Sequence, residues 1–433
     1  MKRARSLALT MIALIAAPAA GQDFVVTNAT VAIGDGSEPI ADGVVIVDDG
    51  KIIYAGPRSA ADAFNTDMVL DAGGKWVTPG LVATMTDLGL ADVSGVSQSN
   101  DISAGNARFN ASLDVAPAIN PASQHIAVAR MGGLTRAIVS PSHGRSLFAG
   151  QGAVIDLGAD PDAVVRPRLF QLVNLGETGA RLSGGSRTAA HVELRNALAE
   201  AQAYAKNRLD GSLAILTRMD AKALGPVISG EQKLFVEAER AADILGVIAL
   251  KREFPKLDVV LVGASEGWLV AREIAAAGIP VVANSMNDLP ASFEQIAATQ
   301  SNVGRMTRAG VKVAIGTLSG STGNQPKNVA QYAGNLVGLQ KVPRATGVSW
   351  GQALAAITST PAEIAGMGGN FGVLKPGAAG DLVIWDGDPL EVSSAPVQVF
   401  IDGVEQPLQS HQTRLRDRYR DLDESDLPKA YDH

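Results

Sequence analysis

A chain of 433 residues exceeds the roughly 250–300 at which single cores stop growing, so two folded units are expected. Apolar content of 46% with 46 glycines and only 4% aromatic residues describes a turn-rich α/β protein and excludes a disordered or fibrous chain. A net charge of −7 without a basic block argues against nucleic acid as a partner, and the absence of cysteine excludes disulfides, thiolate zinc sites and cysteine nucleophiles.

Residues 1–21 carry Lys2, Arg3 and Arg5, then an apolar run from Leu7 to Ala17 and small residues to Gly21, the three-part pattern of a cleaved secretory signal. The run is too short for a permanent span, so a periplasmic or secreted protein with no membrane segment after cleavage is expected. Its removal takes away three positive charges and no negative ones, and the net charge of −7 becomes −10.

β-rich stretches follow at Phe24–Ile33, Gly43–Val47 and Lys51–Gly56, the last two joined by Asp48-Asp49-Gly50, a tight-hairpin signal. Met68–Gly73 adds a strand. Far downstream, Leu382–Trp385 and Val397–Val404, the latter with Asp402-Gly403 at its turn, read as strands of the same sheet system. The expected organisation is a composite β-sandwich from 22–79 and 367–410, a barrel over 80–366, and a charged tail over 411–433. Between the two β-rich ends, strand and helix patterns alternate, with helices expected over Ala122–Met131, His191–Asn207, Arg240–Phe254, Trp268–Ala277 and Phe293–Ala309. At least six such steps favour a (β/α)8 TIM-like barrel inserted in the composite domain, and such barrels work at the C-terminal ends of their strands. Ser94–Pro121 reads as a long loop at the barrel mouth, and Arg181–Thr188 as a Gly/Ser-rich loop.

Five further stretches carry a family resemblance. Gly74-Lys-Trp-Val-Thr-Pro-Gly-Leu81, Phe148-Ala-Gly-Gln-Gly-Ala-Val154, Leu175-Gly-Glu177, the Ala353-Leu-Ala-Ala-Ile-Thr-Ser-Thr-Pro-Ala helix pair and Gly372-Val-Leu-Lys-Pro-Gly-Ala-Ala-Gly-Asp381-Leu-Val resemble the amidohydrolase superfamily, in its imidazolonepropionase-like and prolidase-like branch. The resemblance implies a metal-dependent hydrolase of carbon–nitrogen bonds other than ordinary peptide bonds. It also implies zinc or another divalent metal held by two histidines after the first barrel strand, a bridging lysine or glutamate, histidines on the strands that follow, and a final aspartate. By neighbouring motif, these positions fall on Met85 and Asp87, near Gln171 or Leu172, on Glu237 and Gly263, and on Leu318. The ligand set is therefore substituted, no cofactor is expected, and a degenerate, non-catalytic member follows. Such a chain would bind a small amide-like ligand or associate with another copy or with an active relative. The alternative is an active hydrolase rebuilt from Asp87, Glu237, Glu177 and His143, whose carboxylates would suit Mg²⁺ or Ca²⁺ better than zinc.

Gly263-Ala-Ser265-Glu-Gly267 lies between strand and helix patterns, the context of a nucleophile elbow, and makes a serine hydrolase a more distant option. The histidines beyond it are His411 and His433 in the tail, so Ser265 is expected instead to cap the helix from Trp268. His125 and His191 are expected on helix faces, leaving His143 as the histidine facing the pocket.

Overall fold

The computed structural model describes residues 21–61, 64, 66–93, 95–208, 214–317 and 325–420. The expected signal segment up to residue 20, Leu318 and the tail from 421, His433 included, lie outside the described residues.

The chain opens with five strands: β1 (Phe24–Val31), β2 (Ile40–Asp48), β3 (Lys51–Pro57), β4 (Val69–Asp71) and β5 (Trp76–Pro79). The β2–β3 hairpin turns on Asp49 and Gly50 with φ of 46° and 69°, the left-handed values a primed turn requires and Asp-Gly tolerates. The last three strands, β14 (Leu382–Trp385), β15 (Pro396–Ile401) and β16 (Val404–Glu405), complete the same eight-stranded sheet. Its path is β16-β15-β14-β5-β1-β2-β3, with β4 beside β1. The join between the chain ends is the antiparallel pair β5–β14, where Leu382 faces Pro79 and Trp385 faces Trp76. The Trp385 indole N–H donates to Thr78 Oγ1 at 2.9 Å, and Phe24 packs on Phe400 with ring centroids 4.6 Å apart.

Between them lies a second eight-stranded sheet in the order β6 (Leu81–Thr86), β7 (Leu134–Val139), β8 (Phe148–Asp156), β9 (Val164–Asn174), β10 (Lys233–Ala238), β11 (Val259–Gly263), β12 (Val281–Ala283) and β13 (Val313–Ile315). All residues of β6, β7, β11, β12 and β13 are buried, as both faces of a parallel sheet under helices must be. The first and last strands meet where the Thr317 N–H donates to Thr84 O at 3.0 Å. Ala356 and Ile357 fill the rest of the seam, accepting from the N–H groups of Ile315 and Val82, both at 2.9 Å. The fold is a TIM-like barrel, nearly closed, beside a separate β-domain.

Strict βα alternation fails at one strand. β8 runs antiparallel to β7 and β9, because the links 140–147 and 157–163 are shorter than the dozen or so residues a parallel crossover needs.

The inward face of the barrel packs Val82, Ile138, Phe170, Leu172, Phe235, Val260 and Val262 against one another, with Phe170 and Phe235 stacked at 4.1 Å. With side chains alternating along a strand, that inward row continues from Phe235 to Glu237 and from Leu172 to Asn174 at the C-terminal ends. The opposite end is closed by Arg136, two residues before inward Ile138. Its guanidinium donates to both Asp381 oxygens, at 2.6 and 2.9 Å, and to Asp402 at 2.7 Å.

Helices fall close to expectation at Gln124–Met131, Arg187–Ala205 and Ala241–Glu253. The expected loop Arg181–Thr188 is shorter than its composition suggested, since Glu177–Leu182 is helical and Ser186 caps the long helix by accepting from Thr188 N–H. The expected helix Phe293–Ala309 is instead a single 3-10 turn at Phe293–Gln295 followed by a helix over Asn302–Arg308. Ala297 is tied from both sides, its N–H donating to Glu266 and its carbonyl accepting the Trp268 indole N–H at 2.8 Å. The tail begins as a helix, His411–Arg418, whose Ser410 and Thr413 form a reciprocal cap.

Candidate active site at the barrel mouth

A cavity of about 490 Å³ opens at the C-terminal ends of the barrel strands. Its walls come from the ends of β6, β7, β9, β10 and β11, from Ile102 in the long loop, and from Glu294 and Thr317 after β12 and β13. The long loop is drawn over the mouth by backbone and side-chain ties. Ser142 N–H donates to Ile102 O at 2.8 Å, while buried Asp220 accepts from Asn110 N–H, Ser112 N–H and the Ser112 hydroxyl.

Of the residues the sequence brought forward, Met85, Asp87, His143, Glu237 and Gly263 all line this cavity. Met85 sits in a bulge with φ of 58°, between the register-shifted pairs of Thr84 and Thr86, and its carbonyl accepts the Thr317 hydroxyl at 3.0 Å. Of the two residues considered for the bridging position, Leu172 faces the cavity, whereas Gln171 turns its amide to Gly150 O at 3.1 Å. Glu177 does not line the cavity, although its neighbours Gly176 and Thr178 do. It begins a helix, where a carboxylate suits the N-terminal dipole, and its N–H donates to Glu294 at 2.6 Å. Ser265 does not cap the following helix. Its N–H and hydroxyl both donate to Glu239, at 2.9 and 2.6 Å, and its oxygen accepts from Asn287. The N–H of Trp268 is taken by Asn302 Oδ1 instead.

Asn174, Glu239 and Glu294 also line the cavity and were not singled out in the sequence. Glu239 follows Glu237 by one strand period, which was the available signal. Asn174 donates to Glu237 Oε2 at 2.7 Å, and the same oxygen lies 2.8 Å from His143 Nε2. Burial raises the Glu237 carboxyl, but the imidazole and the amide outweigh it and hold its pKa below the ordinary value. Glu294 is also paired, with Arg187 at 3.1 Å, yet burial and the neighbouring Glu177 and Glu239 push it up against the Glu177 N–H and that arginine. Burial likewise raises Glu239 and Asp87.

These donors do not fit the family's divalent metal. Met85 offers a thioether, and Gly263 has no side chain; a Cβ there would lie 2.3 Å from Glu239 Oε1. Glu237 is already shared by His143 and Asn174. Among the described residues, no group of three or more histidine, aspartate or glutamate side chains is placed to hold a metal ion.

The scaffold is a barrel with its cavity at the strand C-termini, beside a β-domain built from both chain ends. Residues 197–406 match the amidohydrolase family model. An imidazolonepropionase of Rhizorhabdus wittichii is 26% identical over 398 residues, covering 82% of this chain and 90% of that protein. Amidohydrolase tasK of Hapsidospora irregularis is 23% identical over 403 residues, but the chain spans only 40% of that protein's length. Among solved structures, an amidohydrolase from Thermotoga maritima superposes with a TM-score of 0.77 at 23% identity, covering 88% of this chain and 99% of that one, a likeness of fold. The chain is thus similar to the amidohydrolase superfamily, in sequence over residues 197–406 and in fold across most of its length.

Proposed function

We propose that this chain is a small-ligand-binding member of the superfamily in which metal-dependent hydrolysis has been given up. The observation that carries the reading is the engagement of Glu237. At a position where relatives place a metal ligand, this carboxylate is held by His143 and Asn174 at 2.8 and 2.7 Å, while Met85 and Gly263 supply no hard donor beside it. Such a hold on a carboxylate is hard to break, since leaving a buried charge unpaired costs about 3–5 kcal/mol. By descent the ligand resembles an amide, as the similarity to imidazolonepropionases suggests, and the role is that of a binding protein or the non-catalytic partner of an active relative. The basic, apolar and small-residue pattern at residues 1–21 supports export to a periplasm or beyond.

The test is elemental analysis of the purified chain together with turnover of cyclic amides and acyl-prolines. The expected result is less than about a tenth of an equivalent of tightly held metal and no turnover. One equivalent of metal, lost together with activity in Glu237→Ala, would overturn the proposal.

One observation favours a second reading, an active hydrolase with an altered site. His143 Nε2 faces a carboxylate inside the cavity, the pairing that orients an imidazole for acid–base work. In that case turnover without metal would follow a bell-shaped pH profile and vanish in His143→Ala.

A further inference from the structure

The charges around the mouth are unbalanced in a way that specifies the ligand. Asp87, Glu237, Glu239 and Glu294 line the cavity, His143 is its one basic group, and no lysine or arginine lines it among the described residues. Two of the four carboxyls contact a basic side chain: Glu237 has His143, and Glu294 has Arg187 reaching in from its helix. The other two enter no ion pair among the described residues, although the His125 imidazole is near enough to Asp87 to oppose the effect of burial on its carboxyl. Glu239 is held by neutral donors, the N–H and hydroxyl of Ser265 on one oxygen and the side chain of Gln295. Asp87 Oδ1 is buried without a hydrogen-bond partner among the described residues. Gly263 is what lets the Glu239 carboxylate into the mouth, since any side chain there would occupy its place.

Their positions face one another. Asp87 follows β6 and Glu239 follows β10, four places apart in the order of an eight-stranded barrel, so the two carboxyls stand on opposite walls. Between them, Met85, Ile102, Leu172 and Val262 give the cavity apolar surface. A bare metal ion would leave most of about 490 Å³ unfilled, and among the described residues no three donors converge to hold one. We propose that the mouth binds a small organic cation, an alkylammonium or alkylguanidinium group, with its charge against Asp87 or Glu239 and its carbon chain on the apolar wall. The proposal rests on the reading of the mouth as a binding site and names the chemistry it selects.

The experiment is calorimetric titration of the full chain with three probes of equal length, hexylamine, hexanamide and hexanoate, at low and moderate salt. The expected result is that hexylamine binds at least tenfold more tightly than hexanamide, that hexanoate does not bind, and that added salt weakens the amine alone. Of Asp87→Asn and Glu239→Gln, each checked for folding by circular dichroism, the one on the wall that takes the charge should weaken hexylamine about tenfold and leave hexanamide unchanged, and no loss in either would overturn the proposal. Hexanamide binding as tightly as the amine would overturn the cation proposal while leaving the mouth a binding site. Failure of all three probes at millimolar concentration would overturn both.

Discussion

The two ends of the barrel treat buried charge in opposite ways. At the end against the β-domain, Arg136 donates to Asp381 and Asp402, and Asp381 is fully buried. Burial works against the guanidinium's charge, but the two aspartates outweigh it and raise its pKa above the ordinary value. At the mouth, burial raises Asp87 and Glu239, and neither enters an ion pair among the described residues, His125 acting on Asp87 only electrostatically. At the β-domain end a buried cation is built in against its acids, whereas at the mouth two carboxyls are left outside any ion pair among the described residues. What is paired ties the two domains together, and what is unpaired is what the proposed organic cation would meet.

The sharpest way to break this comparison is Arg136→Met. With Asp381 left buried and uncompensated, unfolding free energy should fall by about 3–5 kcal/mol in urea titrations. A loss below about 1 kcal/mol would mean the paired end is not a structural clamp. Next in size, Glu237→Gln should cost about 1.5–3 kcal/mol at pH 7, the worth of a hydrogen bond to a charged group. The Glu237 pKa is depressed in the folded state, so its contribution is present above the ordinary value of 4.5 and lost as pH falls through the folded one. The penalty of the variant should therefore shrink toward pH 3, as parallel melts at the two pH values would report.

A stabilising change comes third. Asp156 of β8 is pushed up to about 6 by burial, with Gly158 N–H and Arg136 opposing and Asp160 and Asp402 reinforcing. For a raised carboxyl the sign reverses: stability is lost as pH climbs from 3.8 to about 6. Asp156→Asn should gain about 1 kcal/mol at pH 7.5, after allowance for partial solvent screening, and nothing at pH 4. Smallest of all, Ser265→Ala removes one hydroxyl bond to Glu239 and should cost about 0.5–1.5 kcal/mol. Because that hydroxyl serves Glu239 and no imidazole, fluorophosphonate should leave Ser265 unlabelled.

Much of the architecture was legible in the residues. Asp49-Gly50 and Asp402-Gly403 announce hairpins because few other pairs accept two left-handed residues in succession. That the two chain ends share one sheet followed from motifs at both ends, but not that β5 and β14 are the strands that pair. The antiparallel β8 was not foreseen, since its apolar run reads the same in either direction and only the short links on each side betray it. At the mouth, Met85, Asp87, Glu237 and Gly263 were reached by motif position, and His143 by its place just after a strand. Glu294 was hidden inside a stretch that reads as helix until Glu266 and Trp268 claim Ala297. Arg136 carried a signal that went unused: a cation in the middle of the apolar strand Leu134–Val139 demands buried acidic partners.

The strand pair that unites the chain ends has a consequence for biosynthesis. Thr78 and Trp385, bonded through hydroxyl and indole, are 307 positions apart in sequence. Throughout synthesis of the intervening barrel, one edge of β5 stands open, with its amides and carbonyls unmatched, until the ribosome has delivered almost the whole polypeptide. Completion of the β-domain is thus a late event in the life of the nascent chain, and premature termination anywhere before residue 382 leaves an adhesive edge exposed.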